Sequence, residues 1–297
     1  MYPHCCDITA LIRGLDRHEL HATQSARMLA AGLAAYRKQF TDTADYQQAV
    51  VEELARLASH LPPYGPLLTV MNRALLALDQ GIDPEPILGA TLVRADTSQQ
   101  VMEKIAGRLL RGKKVICTHT FSQTVSACLI RQWQAGQSFT VLLSESMPNR
   151  DGRHAQEVLS GIGIPCRVSL DADLDRLVHQ SDVALLGCEA VLPAGQIIGK
   201  VGQSSLARRC HDHGIPVYIY AGLWKLLPPA LTGCAAMIRP ETFPHGYEEL
   251  PVCLYDVTQR EQVTAIITER GLYSPEGACA LADQQVSPAL LSLLFSS

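Results

Sequence analysis

Along the first hundred residues, apolar positions recur with the spacing of one helical face. Ile8, Leu11, Ile12 and Leu15 fall on the i, i+3, i+4, i+7 pattern. Val50, Val51, Leu54, Leu57, Ala58 and Leu61 repeat it. Pro62 and Pro63 then stop the helix, because proline lacks an amide hydrogen and clashes with the preceding turn. Leu67, Val70, Met71, Leu75 and Leu78 form a third stripe that ends near Gly81. A fourth is expected to start at the capping residues Asp96, Thr97 and Ser98, to carry Val101, Ile105 and Leu109, and to stop at Gly112.

From about Lys113 the rhythm changes to short β-rich runs. These are Lys114 to His119, Phe139 to Leu143, Cys166 to Ser169, Val183 to Leu186 and Val217 to Tyr220. Amphipathic stretches, often closed by glycine, lie between them. Such alternation predicts βαβ units, hence a parallel sheet covered by helices on both faces. A last strand at Val252 to Tyr255 and a helix around Gln262 to Arg270 are expected to extend it. The chain therefore divides into a helical domain over 1–112 and an α/β domain over 113–297.

Open parallel sheets bind ligands beyond the carboxyl ends of their strands, where loop amides and helix N-termini converge. Reading off those positions gives the candidates. His119, Thr120 and Ser122 follow the first strand, and Glu145 and a loop carrying Arg153 follow the second. Glu189, Lys200 and Gly202 follow the fourth, and Lys225 lies beyond the fifth. One carboxylate, a histidine, hydroxyls, glycine turns and several cations suit a small phosphorylated ligand. Lys200 and Arg153 are the expected phosphate donors, and Gln203, Ser204 and Ser205 open a helix able to face an anion.

Composition narrows the classes. The 297 residues are 47% hydrophobic and 18% charged, enough apolar material for a large core. A net charge of −4 gives no clustered cation field for nucleic acid. The ten cysteines contain no Cys-x-x-Cys pair, so no zinc ribbon or redox motif is expected, and most read as core thiols. His211 and His213 point to different helix faces, while His18 and His21 have no ligand companion beyond Glu19. They read as surface histidines, and neither metal nor cofactor is expected. No apolar run reaches transmembrane length and the first residues show no leader, so the expectation is a cytoplasmic protein.

At these same positions the sequence resembles the superfamily of the translation initiation factor 2B alpha, beta and delta subunits and the aldose-1-phosphate isomerases. Four segments carry the likeness: VICTHTFSQTV at 115–125, SESMPNRDG at 144–152, SDVALLGCEAVLPAGQIIGKVGQSSLA at 181–207, and LYDVTQREQVTAIITERG at 254–271. The third is the most specific: an acidic residue closes a strand, and after a glycine turn Lys-x-Gly leads into a helix. The resemblance implies a Rossmann-like parallel sheet, a homodimer formed through the α/β half, and a sugar- or nucleotide-phosphate ligand.

Departures from the isomerase pattern bear on activity. The resemblance implies that isomerases carry cysteine where this chain has Thr120 and aspartate where it has Glu189. Those groups move a proton between adjacent sugar carbons. A thiol titrates near ~8.5, whereas a threonine hydroxyl offers no comparable titration. Met147 stands in place of an arginine, Gly199 in place of an asparagine and Gln203 in place of a threonine. The non-catalytic alpha subunits also carry glutamate at the Glu189 position and lack the cysteine. The resulting expectation is an alpha-subunit-like sensor or assembly subunit, with possible protein partners, that binds a phosphorylated ligand without isomerase activity. The alternative is an aldose–ketose isomerase in which Glu189 is catalytic.

Overall fold

The computed structural model describes residues 5–241 and 251–295. The first three stripes form α1 (Cys6–Asp16), α3 (Thr43–Ala58) and α4 (Gly65–Asp79), and α2 (Ala22–Arg37), which no stripe announced, lies between the first two. The Asp42 side chain caps α3 by accepting from the amides of Ala44 and Asp45. Ile8, Leu11, Leu29, Leu33, Leu54, Leu67 and Met71 meet in one core, wholly shielded from water.

The helix of the fourth stripe departs from expectation. α5 runs unbroken over Pro84–Leu109 and is capped by Asp83, with proline in its first turn, where the missing amide hydrogen is harmless. Asp96, Thr97 and Ser98 lie mid-helix. Thr97 returns its hydroxyl to the Val93 carbonyl, and Ser98 donates to Glu269 across the domain at 2.8 Å. Local cap chemistry was outvoted by tertiary partners.

The second half lays down β1 (Val115–Thr118), α6 (Gln123–Gln134), β2 (Thr140–Ser144), α7 (Asp151–Ser160), β3 (Cys166–Ser169), α8 (Leu174–His179) and β4 (Val183–Leu186). There follow β5 (Ala190–Val191), β6 (Ile197–Lys200), α9 (Gln203–Asp212) and β7 (Val217–Tyr220). The last elements are β8 (Pro240–Glu241), β9 (Val252–Cys253), β10 (Tyr255–Thr258), β11 (Ala265–Thr268), β12 (Gly271–Tyr273), α10 (Pro275–Cys279) and α11 (Pro288–Phe295). The main sheet has seven strands in the order β12-β11-β7-β4-β1-β2-β3, parallel except for β12. Alternate residues serve opposite faces: Ile116, Val141, Leu185 and Ile267 pack on one side, Cys117, Leu142, Leu186 and Ile266 on the other.

Two C-terminal expectations are corrected. The helix expected around Gln262 to Arg270 is instead strand β11, paired in parallel with β7. A short apolar run followed by charge satisfies either reading until both its faces are covered. The strand expected at Val252 to Tyr255 splits into β9, which pairs only with β8, and β10. β10 joins β6 and β5 in a separate antiparallel sheet.

β1 pairs with β2 on one side and β4 on the other. The chain therefore reverses its direction of travel across the sheet between β1 and β4, which opens a crevice at their carboxyl ends. No described helix is long and apolar enough to cross a membrane.

Candidate functional site

That crevice holds a narrow cleft with a cavity volume of about 30 Å³. The loop after β1 and the first turn of α6 form one wall, and the exit of β4 with the end of β6 forms the other. Gly187 lets the walls approach, since a methyl group there would fall 2.6 Å from the Ser122 hydroxyl oxygen. Ser122 in turn caps α6 by accepting from the Val125 amide.

Glu189 is held by its backbone from two directions. Its amide donates to Ile198 of β6, and its carbonyl accepts from Gly65 at the start of α4, at 2.8 and 2.9 Å. The half-buried carboxylate has no hydrogen-bond or ion-pair partner among the described residues. Lys200 ends β6 and is only 6% exposed, with its ammonium 4.9 Å from the centre of the Tyr255 ring. Lys225 is 5% exposed and donates to the Cys188 carbonyl. Neither lysine forms an ion pair with a described residue. Two desolvated ammoniums and the Glu189 carboxylate border the same cleft, where water or an anion must make up the lost hydration of the charges.

Thr120, Ser122, Glu189, Lys200 and Lys225 thus surround a single cleft. Four other candidates lie outside its lining. Arg153 is exposed and pairs with Glu145 at 3.3 Å, so its guanidinium is turned to that carboxylate. His119 is 1% exposed and sits behind the wall. Its Nε2 lies 2.6 Å from the Val201 carbonyl, which only accepts, so Nε2 carries the hydrogen and Nδ1 accepts from the Ser144 hydroxyl. Burial holds its pKa below the ordinary histidine value, keeping the ring neutral. Gly202 is the backbone counterpart of this packing: its φ is 97°, and a methyl group there would strike the His119 ring at 2.7 Å.

The N-terminus of α9 is not open to an anion either. The Asp256 carboxylate, brought over by β10, accepts from the amides of Gly202 and Ser204. Burial pushes the Asp256 pKa up to about 6, against the lowering effect of those two hydrogen bonds. The first turns of α6 and α2 border the cleft, and α9 contributes Gln203 from its start.

Thr120 donates to Asp151 at 3.2 Å. The thiol nearest the cleft is that of Cys188, which burial pushes up to about 11, the Lys225 charge opposing. It is a neutral thiol near pH 7.

His21 was expected at the surface; it lines the cleft instead. Its ring stands 5.8 Å from Phe121, which stacks edgewise on His154 at 4.5 Å. Burial lowers the His21 pKa, Glu189 and Asp151 oppose this, and Lys200 and His154 reinforce it. Gln203, expected only as part of a helix start facing an anion, contributes its side chain to the lining, and Ala22, Thr23, Gln123 and Thr124 join it without having been singled out. Helical spacing alone gave no sign that the α1–α2 connection crosses to the sheet edge.

The model of the initiation factor 2 subunit family matches residues 88–275. A Pyrococcus horikoshii translation initiation factor eIF-2B subunit 2-like protein is 30% identical over 184 residues, 62% of this chain and 66% of that one. The ribose 1,5-bisphosphate isomerase of Haloferax volcanii is 28% identical over 198 residues, 63% of this chain and 61% of the enzyme. The matched stretch thus spans just under two thirds of these relatives' length. Among solved structures, translation initiation factor eIF-2B of P. horikoshii superposes with a TM-score of 0.79 at 23% identity, covering 92% of this chain and 98% of that one. The tetrameric eIF2B-beta2-delta2 complex from C. thermophilum gives 0.71 at 16% identity, covering 92% of each chain. The chain belongs to the initiation factor 2 subunit family.

Proposed function

We propose that this family member binds a phosphorylated small molecule, a sugar phosphate or nucleotide phosphate, in the cleft between β1 and β4. It acts through that ligand as an alpha-subunit-like sensor or assembly subunit in the cytoplasm, without isomerase turnover. The observation that carries the reading is the pair of buried ammoniums, Lys200 and Lys225, beside the first turn of α6. Ammonium and helix amides together suit a dianionic phosphate. Thr120 has no titration to offer and already donates to Asp151, and Cys188 holds its proton, so the thiol chemistry of an isomerase has no carrier here. Titration calorimetry with ribose 5-phosphate and with AMP tests it. Binding that is lost in Lys200→Ala and Lys225→Ala is expected, and no binding of either compound would defeat the reading.

One observation favours an isomerase instead. His21 and Glu189 are within electrostatic reach of one another in the cleft, and imidazole and carboxylate are the side-chain types that serve as general acid and base. Rapid conversion of ribose 1,5-bisphosphate by the wild-type chain, abolished in Glu189→Gln and His21→Asn, would establish that alternative. The assembly role draws support from the tetrameric C. thermophilum relative. A homodimer built on an α/β unit from residue 113, with the helical unit ending at 112, is the form we expect. Light scattering on the purified protein tests it, a monomer at micromolar concentration counting against it.

A further inference from the structure

Gln203 opens α9 and is 1% exposed, yet its side-chain Nε2 has no acceptor among the described residues. Leaving a buried amide hydrogen unpaired costs about 1–3 kcal/mol, so such a group calls for an external acceptor. The carboxamide borders the cleft and lies across the face of Gly199. A methyl group at Gly199 would stand 2.4 Å from its Cδ and Nε2 and 2.6 Å from Oε1. The bare backbone at 199 therefore makes the space the amide occupies, one residue before Lys200. The flanking backbone amides of Gly202 and Ser204 do not compete for an incoming acceptor, because Asp256 already takes them.

We propose that Gln203 is the specificity-determining residue of the cleft, donating its side-chain N–H to a hydroxyl oxygen of the sugar portion of the ligand. The inference rests on the phosphate-binding reading, in which Lys200 and Lys225 hold the phosphate. A phosphate offers acceptors only and is better served by ammonium. A hydroxyl both gives and takes a hydrogen, which matches a carboxamide's paired donor and acceptor. Sites built to bond a hydroxyl discriminate against analogues that lack it, because the buried donor is then left unpaired.

Two probes with one phosphate each separate the roles: ribose 5-phosphate, and tetrahydrofurfuryl phosphate, the same ring without hydroxyls. By calorimetry, the wild type is expected to prefer ribose 5-phosphate by about tenfold or more. Gln203→Leu keeps the volume but has no donor, and it should reduce that preference to about threefold or less while holding tetrahydrofurfuryl phosphate within about twofold. Gly199→Ala should act alike, since its methyl group displaces the carboxamide. Lys200→Ala should weaken both probes together and leave their ratio unchanged. A preference that persists in Gln203→Leu overturns the inference and leaves the phosphate reading standing. Equal loss of both probes in Gln203→Leu also overturns it, showing a packing role only. Failure of the wild type to bind either probe removes the phosphate reading and this inference with it.

Discussion

The two walls of the cleft differ in how they use their polar groups. On the β1–β2 side nearly every candidate is engaged within the protein: Thr120 with Asp151, Arg153 with Glu145, His119 with Ser144 and Val201. On the β4–β6 side, Glu189 and the Gln203 Nε2 lack partners among the described residues, and Lys200 has only an aromatic face. The first wall is a scaffold whose polar bonds fix shape, and the second holds desolvated groups in wait. Polar residue type does not separate the two; remaining bonding capacity does.

The sharpest way to break this comparison is Lys200→Ala. Loss of a charge-assisted phosphate contact, about 2–3 kcal/mol, should weaken ribose 5-phosphate by roughly 30- to 150-fold in calorimetry. A change below threefold would place the anion elsewhere. Next comes Gly152→Ala in the scaffold wall. Its methyl group would sit 1.7 Å from the Ser144 carbonyl oxygen, so α7 must shift off the end of β2. Denaturant titration should report a stability loss of about 2–3 kcal/mol, and an unchanged midpoint would mean that this contact relaxes freely.

A smaller effect concerns Asp256. Its folded-state pKa of about 6 lies above the ordinary carboxylate value, so the folded protein holds that proton more tightly than the unfolded chain. The resulting stability is fully present below about pH 4 and is lost as pH rises to about 6. Asp256→Asn should remove that decline, worth at most about 1.4 kcal/mol per pH unit, from urea-unfolding stabilities measured between those limits. Parallel profiles for the two proteins would show that Asp256 is ionised throughout. Smallest of all, Thr120→Ala and Arg153→Ala should each alter the ribose 5-phosphate Kd by less than about twofold, because exposed or already satisfied groups contribute little. A tenfold loss in either would return the scaffold wall to the binding surface.

Much of this architecture was legible along the chain. The runs at 166–169, 183–186 and 217–220 are strands with those bounds, because short, locally apolar segments between glycine turns leave few alternatives. The crossover pattern alone places Thr120 and Glu189 near one sheet edge. What local pattern hid was long-range. Asp256 caps α9 only because β10 folds back antiparallel on β6, an excursion of more than fifty residues with no periodic signature. His21 reaches the cleft because the helical layer lies over the sheet's edge, and the orphaned Gln203 amide is a matter of rotamer and neighbours. Ser98 misled for the opposite reason: it has cap chemistry, but Glu269 supplies its partner from the far end of the chain.

The tyrosine beneath Lys200 has a direction as well as a face. Tyr64 gives its only hydroxyl hydrogen to the Leu20 carbonyl, so in its contact with Tyr255, 2.9 Å away, it must accept. Hydrogens therefore run one way, from Tyr255 to Tyr64 to the main chain just before His21. A phenol that donates gains electron density in its ring, which strengthens the attraction for the ammonium above it. The relay makes the N-terminal helices an electronic setting for the cleft: Tyr64→Phe would leave the ring in place under Lys200 and weaken its hold on the charge.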